Sequence, residues 1–198
     1  MRSKGWRRYY WLDLQKFAEN LVPRGLNIRA VNYFTARIDG GVASDPPVEQ
    51  ARQAASRRRQ FDYLTAVSTL PIVKVIEGRF LRKEQRCRSC SAKSLVPEEK
   101  KSDVNLATQL VVDAFHDRYD AAFVVTGDSD LADTIALVRQ EFRNKSVVVA
   151  FPPNRKSRDL TEAATNNIDV FRRTLARSQL PDTVRVRKHS VRRPREWM

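Results

Sequence analysis

No stretch of this chain approaches the roughly 20 consecutive apolar residues of a transmembrane helix, and that argues against a helical membrane span. The opening segment, MRSKGWRRYYWLDL, has basic residues but no apolar core followed by small residues, so a secretory leader is not expected. Cysteine is scarce. Two in 198 residues are too few for a disulfide framework, and a reducing cytoplasm is the expected compartment. Histidine is equally scarce, with two residues: His116 among acids on a helix, and His189 in a basic tail. No Ser–His or Cys–His nucleophilic arrangement stands out, and both histidines read as surface residues rather than bases. No internal repeat is visible.

Charge of one sign is abundant. The net charge is +14, which favours a polyanionic partner, with nucleic acid the commonest for a soluble protein and an anionic membrane surface the rival. Residues 1–12 carry four Lys/Arg and no acid, residues 79–101 eight against three, and residues 171–198 nine against two. Residues 102–133 reverse this, with seven Asp and one Arg. Basic surface for phosphates and concentrated carboxylates for cations are what a metal-dependent nuclease needs. Two unrelated solvated faces would give the same counts.

Apolar spacing predicts alternating strands and helices. Trp11, Leu14, Phe17, Ala18 and Leu21 make a helical stripe ended by Pro23-Arg24-Gly25. Residues 27–38 read as a buried strand, 39–47 as a loop, and 48–68 as a helix with Ala51, Ala54, Phe61, Leu64 and Val67 inward. A strand at 71–78 leads into a basic loop or extended ribbon reaching Lys101. Ser102 caps a helix with Val104, Ala107, Leu110, Val111, Ala114 and Phe115 inward. The strand 121–126, a helix with Leu131, Ile135, Val138 and Phe142 inward, the strand 146–151 and helices near 160–164 and 170–178 complete the pattern. The expected organisation is one α/β domain over 1–178, mainly a parallel sheet with flanking helices, and a basic tail over 179–198 that forms an edge strand or an extended arm. In such sheets the functional crevice lies beyond the carboxyl ends of the strands.

The sharpest signal there is TGDSDLAD (126–133), directly after the strand AAFVVT. Gly127 permits a tight exit, and Asp128 and Asp130 stand at a helix start. One carboxylate there is explained by capping. Two bracketing a serine, followed by Asp133, suggest a cation that relieves their repulsion. Asp103 starts the preceding helix, with Glu98 and Glu99 just before it, and an ordinary capped helix is the competing account. Oxygen-only ligands suit Mg²⁺ or Mn²⁺ rather than zinc. Arg82, Lys83, Arg86 and Arg88 make the basic loop a candidate for holding an RNA backbone. Arg155, Lys156 and Ser157, at a helix start, fit either a phosphate site or a solvated turn. Cys87-Arg88-Ser89-Cys90 is half a zinc site, completed by a second copy of the chain in a homodimer, or an incidental pair. Trp6, Tyr9 and Tyr10 can stack bases or pack on the first helix with Trp11.

In order and spacing, NYFTARI, EEKKSDVNLATQLVVDAF, YDAAFVVTGDSDL and VVVAFPP with RDLTEAA resemble the NYN branch of the PIN-like ribonucleases, which includes LabA-like proteins. The resemblance implies a Rossmann-like fold, divalent-metal phosphodiester hydrolysis and RNA as substrate. It puts Asp103, Asp128 and Asp130 in the family's acidic cluster, and Thr126 where serine is commoner; Glu99 joins them only on the reading that both helix starts face one crevice. Family members usually begin with an apolar strand ending in an Asp-bearing turn. Met1 here stands inside the segment that follows it, so a central strand and one ligand are expected to be missing, through a wrongly assigned start or a truncated gene. Asp39-Gly40 follows a different strand and does not take that role. Two rivals remain: an RNA-binding module without catalysis, and a haloacid-dehalogenase-like phosphatase, whose required early DxD pair is lacking.

Overall fold

Asp13 begins the first α-helix through a short-range bond, its carboxylate accepting the Lys16 backbone N–H at 2.9 Å. Helix α1 (Leu14–Leu21) follows a 3₁₀ turn at Lys4–Tyr9 and buries Leu14 and Phe17. The computed structural model describes residues 4–38, 46–86, 93–187 and 189–198, with the side chains of 4, 79–85 and 93–100 outside that description. Cys87, Arg88 and Cys90 fall outside it, as do Asp39 and Gly40.

The described strands build two three-stranded sheets and a hairpin. In the first sheet β1 (Val31–Ala36) runs parallel to β2 (Val73–Arg86), from Val31 opposite Val73 to Ala36 opposite Gly78, with helix α2 (Pro47–Val67) as the crossover. The distal half of β2 pairs antiparallel with β3 (Lys93–Lys100), so the basic segment is an extended ribbon. Helix α3 (Ser102–Phe115) leads to the second sheet, β4 (Ala121–Val125), β5 (Ser146–Phe151) and β6 (Asn166–Asp169), all parallel. Helices α4 (Ala132–Glu141) and α5 (Arg158–Ala163) form the crossovers, and α6 (Arg172–Arg177) follows β6. The result is the expected mixed α/β architecture of parallel strands flanked by helices.

No ladder joins the two sheets among the described residues; helices do it instead. Leu110 and Ala114 of α3 join Val124, Ile135, Val138, Val147 and Val149 in one core, while α3 also lies over β1 and β2. From α1, Leu14 enters a second core with Trp11, Tyr63 and Val67, and Phe17 a third with Ala150 and Val170. Between them α1 and α3 hold one sheet beside the other.

Several expectations change register. In α2 the buried residues are Tyr63, Ala66 and Val67, while Ala51 and Ala54 are exposed and Phe61 is 54% exposed. In α3, Leu110 and Ala114 are buried as expected, but Val104 is 65% and Phe115 73% exposed. Helix α3 starts after Lys101 in the left-handed region (φ 78°), and Ser102 is its first residue rather than its cap. The tail is neither an edge strand nor a free arm. It forms a hairpin of β7 (Thr183–Val186) and β8 (His189–Arg192) whose Val184 and Val191 enter the Trp11 core. Trp11 is fully buried, its indole N–H donates to the Pro181 carbonyl at 2.8 Å, and its carbonyl accepts the Leu180 N–H at 3.0 Å.

Two outcomes are expected. Trp11→Ala removes a large buried ring with its hydrogen bond and should cost about 3–5 kcal/mol of stability, read from the denaturation midpoint; a loss below about 1 kcal/mol would show that the ring is not a core residue. Burial pushes the Tyr63 phenol well above its ordinary value and Tyr119 up to about 12. Both phenols donate to carbonyls, Tyr63 to Leu12 at 3.0 Å and Tyr119 to Leu110 at 3.2 Å. A raised folded value favours the native state only while the group stays protonated. Their contribution is therefore complete below about pH 10 and is lost as pH rises through the folded values. Ultraviolet titration should show two of the five tyrosines ionising late, with thermal stability falling above about pH 10.

Candidate functional site

At the exit of β4 the chain makes two successive short bonds. The Asp128 N–H donates to Thr126 Oγ1 at 3.1 Å, and the Asp130 N–H to Asp128 Oδ1 at 3.1 Å. Asp128 thereby caps a 3₁₀ turn, Ser129–Leu131, which runs into α4. Leu131 is buried and anchors the turn to the core, leaving Asp128, Ser129 and Asp130 exposed above the sheet. One oxygen of Asp128 thus performs the capping task that sequence allowed. Asp130 donates its backbone to that cap and has no side-chain role in it.

The exit of β5 supplies the opposite charge. Pro152-Pro153 is followed by Asn154 at φ 61°, and the Arg155 N–H donates to the Pro152 carbonyl at 3.0 Å, closing the turn. The Ser157 hydroxyl accepts the Leu160 N–H at 3.4 Å and caps α5. The C-terminal end of α5 is tied down by Arg139 of α4, whose guanidinium donates to the carbonyls of Glu162, Ala163 and Ala164 at 3.2, 2.7 and 3.1 Å. The two turns touch. A Cβ placed on Gly127 would lie 2.6 Å from both the Cβ and the carbonyl oxygen of Arg155, so glycine is required for this approach. Arg155 and Lys156 are both exposed next to the acidic turn.

The remaining sequence-derived residues divide. Asp103 is exposed in the first turn of α3. Among the described residues no three His, Cys, Asp or Glu side chains gather into a group that could hold a metal ion. The convergence of three carboxylates expected from sequence is not found among them, and Asp128 and Asp130 share their turn without Asp103. The side chains of Glu98, Glu99, Arg82 and Lys83 lie outside the description, and Arg86 is exposed at the far end of the β2–β3 ribbon. His116 and His189 are exposed, as expected. Trp6 and Tyr9 pack on each other at 5.7 Å, and Tyr10 meets Trp197 edge-on at 5.6 Å.

The donor set fits one form of divalent binding. Mg²⁺ keeps several waters and is commonly held through one or two carboxylates together with substrate phosphates. Exposed Asp128 and Asp130 next to Arg155 and Lys156 suit that mode, not a closed all-protein cage. Sequence reasoning missed the ground beside them. Two open cavities of about 270 and 300 Å³ flank Phe171, lying beyond the ends of β5 and β6. Arg155 and Lys156 marked one rim of this place in the sequence, but β6 is four mostly polar residues, and Asp169 and Phe171 gave no signal.

Comparison with known proteins gives the following. The NYN domain matches residues 12–171. The 6-hydroxy-3-succinoylpyridine 3-monooxygenase HspA of Pseudomonas putida (strain DSM 28022 / S16) is 31% identical over 218 aligned positions, covering 96% of this chain and 69% of that protein. A solved structure of a protein of unknown function from Vibrio parahaemolyticus RIMD 2210633 has a TM-score of 0.49 and 20% identity, covering 89% of this chain and 88% of that one. With four-fifths of its length inside the matched domain, this chain belongs to the NYN domain family.

Proposed function

We propose that this protein hydrolyses RNA phosphodiester bonds at the turn carrying Asp128 and Asp130, with Mg²⁺ or Mn²⁺ as the required ion. The observation that carries this reading is the contact of Gly127 with Arg155. It sets an exposed pair of carboxylates against an exposed pair of cations at the open end of a parallel sheet, and membership of a family of PIN-like, RNA-associated nucleases supports it. A bound divalent ion would supply charge neutralisation at the phosphate and an acidified water. The chain's own residues do the rest. Asp128, fixed by its bond from the Asp130 N–H, would hold the ion. Asp130 orients the attacking water and accepts its proton. Arg155 and Lys156 hold the non-bridging phosphate oxygens. Asp103 and Glu99 are the further acidic residues that this reading assigns to the ion. The water oxygen bonds to phosphorus, the bond to the leaving ribose oxygen breaks, and that oxygen takes the proton. The basic ribbon and the arginines of the tail add sequence-independent attraction that weakens with salt.

A second reading rests on HspA, named as a monooxygenase acting on a hydroxylated pyridine. It predicts oxygen insertion into a heteroaromatic ring, with dioxygen and an electron donor consumed.

Three measurements decide between these readings. Purified protein with Mn²⁺ should cleave single-stranded RNA, Asp128→Asn should lower the rate at least about 100-fold, and EDTA should abolish it. Cleavage that survives both would remove the acidic turn from the chemistry. Consumption of the pyridine substrate, with no RNA cleavage, would favour the second reading. Gly127→Ala forces the Arg155 turn away and should cost about 1–3 kcal/mol of stability while lowering RNA cleavage; unchanged melting and turnover would disprove the tight approach.

A further inference from the structure

Phe171 lies between two cavities and lines both, yet its ring is 53% exposed. One face of the ring is already taken, since the Arg173 guanidinium stacks on it with 4.9 Å to the centroid. On the first cavity's side the rim holds Arg155, Lys156 and Arg172. Two of these are themselves held on aromatic faces: Arg172 over Trp6 at 4.9 Å and Lys156 over Phe151 at 6.0 Å. The second cavity adds Arg173 and Arg177. Asp169 borders both cavities and is the only carboxylate among their lining residues.

From this arrangement we infer that the Phe171 ridge is a nucleotide subsite, where one base of single-stranded RNA stacks on the ring and the phosphates on either side bind the cations of the two cavities. The inference rests on the proposed action on RNA and deepens it. Three features favour this ligand. An aromatic ring backed by a guanidinium makes a stacking platform for any base, because every base has a π-face. Five cations against one carboxylate suit a chain of phosphates better than a neutral ligand. Asp169, as an acceptor between the cavities, can take an exocyclic amino group of the stacked base. Arg155 connects this place to the reaction, because it lines the first cavity and presses on Gly127 next to Asp128. The stacked nucleotide therefore sits close to the scissile bond and sets which phosphate reaches the acidic turn.

The test is fluorescence anisotropy in EDTA, so that binding is read without cleavage, using a labelled single-stranded RNA oligomer and an abasic oligomer of equal length. Phe171→Ala should weaken binding of the RNA about 5- to 100-fold and binding of the abasic chain less than about twofold, while Phe171→Tyr restores affinity. Arg155→Ala and Lys156→Ala should weaken both oligomers alike and flatten the salt dependence. Because the ring is half-exposed, melting of Phe171→Ala should match that of the parent. Equal loss for both oligomers, no loss for either, or displacement of RNA by the hydroxylated pyridine acid would overturn the subsite. The two readings fail separately. Ring-dependent RNA binding without Mn²⁺-dependent cleavage would leave the subsite and remove the hydrolysis. Cleavage with no role for the ring would do the reverse.

Discussion

The architecture depends on helices spanning a break in the sheet. β1–β2–β3 and β4–β5–β6 share no ladder among the described residues, so strand hydrogen bonds do not hold the halves in register. Side-chain burial does. Phe17 and Leu14, one helical turn apart on α1, are buried in different cores, and Leu110 and Ala114 of α3 insert under a helix that also covers β1 and β2. At roughly 25 cal/mol per Å² of apolar surface, a few such side chains supply the cohesion that a continuous ladder would otherwise share. Trp11 extends the arrangement to the C-terminal hairpin, through Pro181 and Leu180.

That scaffold explains why the candidate site is built from turns. The buried Leu131 and the buried end of β5 fix two loop exits, and the space between them closes onto a glycine. The Asp130 N–H engages Asp128 Oδ1, and the exposed cations Arg155 and Lys156 stand in the next turn. The opposite end of the second sheet has a purely structural charge pair. Lys145 is buried, pairs with the exposed Asp117 and lies 5.9 Å from the Tyr119 ring, and the ammonium holds the Asp117 carboxyl below its ordinary value. Charge at that end closes the fold, while Asp128, Asp130, Arg155 and Lys156 at the other are exposed.

Much of this was legible in the sequence where local pattern and tertiary demand agree. SVVVAF is β5 residue for residue, and Leu131, Ile135 and Val138 are buried as their spacing required. The acidic turn stood out because a strand, a glycine and two aspartates follow one another without a gap. Legibility ended where partners, not propensity, decide. Helix α2 carries two apolar stripes, and only the position of Trp11 and β1 selects Tyr63, Ala66 and Val67 over Ala51, Ala54 and Phe61. β6 is Asn-Asn-Ile-Asp, a strand only because β5 pairs with it. Phe171 fell inside the helix expected over 170–178 and carried no signal of its own. Its neighbours across two cavities give it meaning.

The break in the sheet has a colloidal consequence. β1 and β4 each have a single ladder partner among the described strands, and strand edges of that kind invite pairing between molecules. Mutual repulsion from a net charge of +14 opposes such encounters at low ionic strength. With the Debye length near 10 Å at 0.1 M salt and about 3 Å at 1 M, a concentrated salt solution removes that protection. For this molecule, high ionic strength and dispersion are opposing requirements.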